Sequence, residues 1–317
     1  MNRIDVHHHF IPPAYVEAYK DDPSGWKLPS WSVSSTLELM DAHKTKTSIL
    51  SLTSPGTSIL SGTAAAKLAR DTNLHASELC KQYPDRLGFF ASLPPLDGDL
   101  ALVLEEMRYA LDVLHADGVT LYTRYGEHYL GHSSFTPIWD ELDKRAAVVF
   151  IHPTHSINPQ LVNPSLPQPV IDYPHETTRT AADLITSNTV RTHRSVKIIL
   201  SHAGGTLPYL ATRAAHLLAG TGLSSKPADE FMEDAREFYF DLALSSNEFE
   251  LPLVLGFAKK GHVLYGSDFP YAPRETIDAH VKMFEAYDFG NTEKEYEVAR
   301  GAAVKLFPRF RIDGDRD

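Results

Sequence analysis

Apolar residues along the chain fall into two alternating spacings. Short runs rich in β-branched and aromatic residues, bounded by polar punctuation, predict strands over residues 3–6, 48–52, 87–91, 118–121, 148–151, 197–200, 238–242 and 262–265. Between them the apolar spacing lengthens to a helical period. It predicts helices near 36–43, 63–83, 100–115, 136–145, 177–187, 207–218 and 251–260, with 276–287 and 293–306 after the last strand. Strands each followed by a helix are the plan of an α/β protein of the (β/α)8 TIM-barrel type, with C-terminal helices after the last strand, because parallel neighbours need crossover connections. A doubly wound open sheet is the competing fold. The barrel is preferred because reactive side chains end the first, fifth, sixth and eighth strands, spread around the whole set.

Two proline-rich stretches interrupt this rhythm, residues 12–31 and 158–174, and both are too long for ordinary strand-to-helix turns. Each follows a strand that ends in a candidate ligand, so each is expected to wall or cover a site, the alternative being variable surface loop. No linker divides the 317 residues, which read as a single domain. The Asp313-Gly314-Asp315-Arg316-Asp317 end predicts a frayed tail.

Charge and cysteine content narrow the partners. A net charge of −11 and a pI near 5.8 argue against nucleic acid and anionic membrane surfaces. Cys80 stands alone and cannot form an internal disulfide, and Met1-Asn2-Arg3 leads straight into a strand without a signal-peptide core. A reducing, cytoplasmic setting is the expectation. No apolar run approaches the roughly 20 residues that span a bilayer.

The candidate chemistry sits in four phrases: IDVHHH at 4–9, FIHPT at 150–154, ILSHAGG at 199–205 and LYGSDFP at 264–270. In a strand alternate side chains share a face, so His7 and His9 project together while His8 points away. A tag remnant is the bland alternative, against which Ile4, Val6 and Phe10 read as native sequence. His152 ends a buried-strand run and is the natural third nitrogen ligand, although a lone histidine there is more often structural. Asp268 follows the eighth strand as either a ligand or a turn aspartate. Three histidines, a carboxylate and an open position suit one catalytic Zn2+, or Mn2+ as the second choice, without an organic cofactor. For His202 an acid/base role, metal ligation and a structural role all stand.

These four phrases, in this order, resemble the amidohydrolase superfamily, specifically the branch named for 2-amino-3-carboxymuconate 6-semialdehyde decarboxylase. The resemblance implies metal ligation by His7, His9, His152 and Asp268, with His202 catalytic beside them. It also implies that Arg213 reaches a neighbouring subunit's site to hold a substrate carboxylate, hence a homodimer. The fourth strand lacks the lysine that binuclear relatives carboxylate, which implies one metal. The opening Arg-Ile-Asp-Val-His-His-His-Phe, with Asp22-Pro23-Ser24-Gly25-Trp26 and the Thr47-to-Gly56 stretch, is most similar to the fungal 6-methylsalicylate decarboxylases.

That resemblance implies loss of CO2 from a small aromatic, salicylate-type acid, which would leave an unstable aryl carbanion unless a proton reaches the ring first. A metal chelating the hydroxyl and carboxylate would orient the ring. Asp268 is expected as proton donor beside the metal, with His202 polarising the substrate or shuttling the proton. The two duties of Asp268 conflict, because donation needs a raised pKa and ligation lowers it. Phe269, Tyr122, Thr53 and Trp31 are candidate pocket walls. A metal-dependent lactone or amide hydrolase is the competing enzyme class, and a metal-binding scaffold the non-enzymatic one.

Overall fold

The computed structural model describes residues 2–19 and 26–315. Among these, eight parallel strands form one sheet in chain order: β1 (Arg3–His9), β2 (Thr45–Ser51), β3 (Leu87–Ala91), β4 (Gly118–Tyr122), β5 (Val148–His152), β6 (Lys197–Leu200), β7 (Tyr239–Asp241) and β8 (Val263–Leu264). Strictly sequential order excludes the doubly wound sheet, whose order reverses at a switch point. The sheet curls back on itself. Val6 N–H donates to the Tyr265 carbonyl (3.0 Å) and Asp268 N–H to the His7 carbonyl (2.8 Å), joining β1 to the segment that leaves β8.

Branched and aromatic residues fill the barrel. Ile4, Val6, Ile49, Phe90, Phe150, Ile199 and Leu264 form one cluster with Ala302, Ala303, Val304, Phe307 and Phe310 from the C-terminal segment. The last helices therefore plug the floor, and the open end is the mouth into which the C-terminal strand ends point. Arg300, buried beneath this plug, donates to the Asn2 and Phe310 carbonyls and pairs with Asp315 at 2.6 Å. Asp315 is thereby fixed, which corrects the expected frayed tail up to that residue. Arg316 and Asp317 lie outside the described residues.

Three elements depart from the sequence reading. The helix expected over 177–187 spans Gln168–Thr186, so the last seven residues of the second proline-rich stretch are helical. Pro169 occupies its first turn, where a missing N–H costs nothing, and the Pro174 carbonyl is engaged by the Thr178 hydroxyl at 2.9 Å. A further helix, Ala228–Glu237, was not anticipated, although Asp229 and Glu230 in its first turn and Arg236 in its last match the helix dipole. Finally, the last helical segment opens into a π-turn over Glu297–Gly301, which brings Arg300 inward.

The first proline-rich stretch carries a short helix, Pro13–Ala18, and resumes at Trp26 beside the barrel mouth. Asp22-Pro23-Ser24-Gly25, which carried part of the closer resemblance, lies outside the described residues.

Candidate metal centre and adjoining cavity

At the mouth the strand ends bring together the side chains that are distant in sequence. β1 turns His7 and His9 to one side, with their Nε2 atoms 3.1 Å apart. Asp268 Oδ1 lies 3.4 Å from His7 Nε2 and 3.2 Å from His9 Nε2. One ligand atom each from His7, His9, His152 and Asp268 falls within a 4.8 Å span. His8 faces the other way, as alternation requires, and is held between Asp5 (2.9 Å) and Thr36 (3.1 Å).

Each imidazole is aimed by the bond its other nitrogen makes. His7 Nδ1 donates to Asp241 Oδ2 at 3.0 Å, His152 Nδ1 to the Pro153 carbonyl at 2.7 Å, and His9 Nδ1 lies 3.0 Å from the Ser51 hydroxyl. With Nδ1 engaged outwards, the Nε2 atoms face the cluster, which is the arrangement metal-ligating histidines need. Three nitrogens, one carboxylate and an open cavity side fit a divalent cation with a free coordination position.

The charge balance points the same way. Burial alone would lower the His7 pKa, yet the Asp241 and Asp268 carboxylates outweigh it and push it up to about 10. Burial lowers His9, and lowers His152 well below the usual histidine range with help from the neighbouring imidazoles. Burial would raise Asp268, but hydrogen bonds from His7 and His9 hold it well below the usual carboxylate range. A cluster that retains a proton this strongly has net negative charge to offer a cation.

His202 follows β6 in an uncommon backbone conformation. His202, Ala203, Gly204 and Gly205 have φ of +54°, +55°, +75° and +62°, and Asp268 itself sits at +63°. Non-glycine residues in this region persist only where surrounding structure holds them, as at functional sites. His202 N–H donates to Asp241 Oδ1 (3.2 Å) and its Nδ1 to the Ala243 carbonyl (3.0 Å), leaving the ring beside His7 with centroids 4.8 Å apart. Gly205 is required for closeness as well, because a Cβ there would lie 1.9 Å from the Pro174 carbonyl oxygen.

A cavity of about 490 Å³ opens onto Asp268, His152 and His202. Its walls include Trp26, Val170, Tyr173, Leu244 and Tyr271, so both proline-rich stretches do contribute to it. Of the predicted wall residues, Thr53 lines it. Three do not. Phe269 lies with its ring against His8 (5.1 Å), on the outer side of β1. Tyr122 donates to the Leu52 and Thr53 carbonyls and fills the space behind the cavity, facing a neighbouring one of about 590 Å³. Trp31 bonds Thr36 and packs on Phe10, while Trp26, five residues earlier, takes the wall position. Strand-end and loop position did not reveal which way these rings turn. Arg213 is exposed on the helix Leu207–Thr221 and does not line the cavity of its own chain.

Asp241 and His280 were missed by sequence reasoning. Asp241 ends β7 as the other reactive groups end their strands, a signal that was legible. His280 reaches the cavity from within the helix Arg274–Ala286, where nothing in the pattern marks it.

The chain is similar to "Decarboxylase yanB" of Aspergillus niger, at 59% identity over 99% of this chain and 90% of that protein. It is 50% identical to the 6-methylsalicylic acid decarboxylase of Penicillium expansum, over 98% of both chains. Among solved structures, a Polaromonas dihydroxybenzoic acid decarboxylase with bound manganese and the inhibitor 2-nitroresorcinol superposes with a TM-score of 0.81 at 22% identity, over 99% of both chains. The Amidohydrolase family matches residues 4–309. With its metal-fitting cluster set at the mouth of such a barrel, this chain belongs to the amidohydrolase family.

Proposed function

We propose that the protein is a metal-dependent, non-oxidative decarboxylase, a carboxy-lyase acting on a small salicylate-type acid, 6-methylsalicylate foremost. The observation that carries this reading is the convergence of His7, His9, His152 and Asp268 beside a cavity roomy enough for a substituted ring. Its relatives' names support the reaction class. Zn2+ is the expected ion, Mn2+ the alternative, and one metal per chain suffices. His7, His9, His152 and Asp268 would hold it, and it would supply Lewis-acid stabilisation of charge on the substrate's oxygens.

The chain's own residues then supply position and proton. Apolar walls exclude water from the ring, where a developing carbanion would otherwise form. Asp268, at the base, is the donor to the ring carbon, and protonation precedes cleavage of the carbon–carbon bond. In the free site Asp268 is ionised, so its proton comes from the substrate's phenolic hydroxyl as the substrate binds, leaving a phenolate that pushes electrons into the ring. His202, whose Nδ1 is engaged by Ala243, offers Nε2 as the relay for that proton.

Asp268→Asn and His202→Asn test these roles by CO2 release from 6-methylsalicylate and by solvent deuterium uptake into the phenolic product. Each is expected to lose about 10²–10⁴-fold in kcat at saturating metal. Near-normal turnover in both would refute the assignment. A homodimer in which Arg213 holds a carboxylate in the neighbouring site, one amidohydrolase-type domain per chain and a cytoplasmic location complete the proposal. No described helix is long and apolar enough to cross a membrane.

A further inference from the structure

The turn that follows β7 sets two histidines, and it sets them oppositely. His202 Nδ1 donates to the Ala243 carbonyl at 3.0 Å, so the face it turns to the cavity is a lone pair. The next N–H on which a cavity histidine depends is that of Ser246, which donates to His280 Nδ1 at 3.4 Å. A nitrogen that accepts carries no proton, so the neutral His280 ring carries it on Nε2.

The turn is built to hold this alternation. Ala243 N–H is bound by Asp241 at 2.9 Å, Leu244 takes φ +55°, and Ser245 N–H donates back to the Leu242 carbonyl at 3.0 Å. Both Leu244 and Ser245 line the cavity beside His280. Burial, with His202 nearby, lowers the His280 pKa, which keeps the ring neutral at pH 7.

Among the described residues, neither lysine nor arginine lines this cavity, and the nearby Glu250 adds negative charge at its wall. An aromatic acid therefore meets no cationic side chain of this chain. Resting on the decarboxylase reading above, we infer that His280 is a specificity-determining residue whose Nε2–H donates to the substrate carboxylate. A neutral donor suits the chemistry. The carboxylate loses its charge as it departs as CO2, so a donor that adds no further positive charge beside the metal and the neighbouring subunit's Arg213 orients the group without deepening the ground state. A neutral hydrogen bond orients the group at small cost.

The test compares three ligands on metal-loaded wild type, His280→Phe, His280→Gln and His280→Lys. They are 6-methylsalicylate, its unreactive nitro analogue 3-methyl-2-nitrophenol, and 3-methylphenol, which lacks the departing group. His280→Phe is expected to raise the KM of the acid and the inhibition constant of the nitro compound about tenfold, the worth of one hydrogen bond. The inhibition constant of 3-methylphenol stays within about twofold, and His280→Gln, which retains an N–H, restores both affinities. His280→Lys lowers KM and kcat together. Unchanged constants in His280→Phe, or an equal shift of all three ligands, overturn the inference while leaving the decarboxylase reading intact. A wild type that releases no CO2 but discriminates nitro compound from phenol through His280 would sink the reaction and keep the contact, and one that binds neither sinks both.

Discussion

Asp241 offers a decisive perturbation because it touches the metal centre only through His7 and through the turn that orients His202. Its Oδ1 accepts from the backbone N–H groups of Ala243 (2.9 Å) and His202 (3.2 Å), and its Oδ2 from His7 Nδ1 (3.0 Å); Asp241, Ala243 and His7 are fully buried and His202 partly so. Asp241→Asn preserves the first two bonds if its oxygen takes the Oδ1 place. Its amide nitrogen then confronts His7 Nδ1, two donors face to face, and relief comes by moving the imidazole proton to Nε2. That is the nitrogen the cation needs. Losing one charge-assisted hydrogen bond and the favoured tautomer costs about 1.5–3 kcal/mol, or about 10–100-fold in metal affinity. The wild type should also release a proton on loading at neutral pH, because His7 holds one up to about 10 in the metal-free protein. Without the Asp241 carboxylate that proton is largely gone beforehand, so the variant releases less. Chelator competition gives the affinity, a weakly buffered indicator gives the proton count, and excess metal should return part of the CO2 release. Wild-type affinity together with wild-type proton release would refute the reasoning.

Two further perturbations probe the scaffold. Gly205→Ala places a Cβ within 1.9 Å of a backbone carbonyl at φ +62°, so neither neighbour can yield cheaply, and a loss of at least about 2–3 kcal/mol in urea denaturation is expected; a loss below about 0.5 kcal/mol would contradict the tight contact. Asp315, with its side chain only 3% exposed against Arg300, has its pKa lowered from 3.8 to about 2. A depressed carboxylate stabilises the fold above its unfolded pKa and loses that contribution as pH falls through the folded one, here about 2 kcal/mol between roughly pH 4 and 2. Asp315→Asn should therefore be weaker by that amount at pH 7, with the gap to wild type closing towards pH 2. Parallel denaturation curves across that range would count against it.

Barrel order and most of the metal-fitting cluster were legible in sequence for one reason. Strand periodicity sets which side a strand's last residues face, so His7, His9 and His152 were assignable to one mouth from the pattern, while Asp268, four residues past β8, was assigned by the resemblance. Residues beyond the strand ends obey no such period. Trp26 rather than Trp31 forms the wall because a loop conformation decides it, and Phe269, one residue past Asp268, turns to His8 because the two neighbours project oppositely. The helix around Pro174 was unreadable for another reason. Proline's usual cost inside a helix is offset here by contacts that no local rule records, namely the Thr178 hydroxyl on its carbonyl and Gly205 packed against the same atom.

Strength and strain are divided between the two ends of this barrel. The floor is covalently unremarkable but heavily tied, with Arg300 bridging Asn2, Phe310 and Asp315 across nearly the whole length of the chain. The mouth holds His202, Ala203, Leu244 and Asp268 at positive φ, conformations that each cost about 1 kcal/mol or more and that a loosely packed loop would relax. The turns bearing His202 and Leu244 share one anchor. Asp241 fixes His7 with one oxygen and the turns bearing His202 and Leu244 with the other, so a single buried carboxylate links the proposed metal ligand, the proposed proton relay and the cavity wall. The consequence is a coupling: substitutions at the floor should change stability while leaving KM alone, whereas changes around Asp241 should move metal affinity and KM together, because there the position of one group cannot shift without the others.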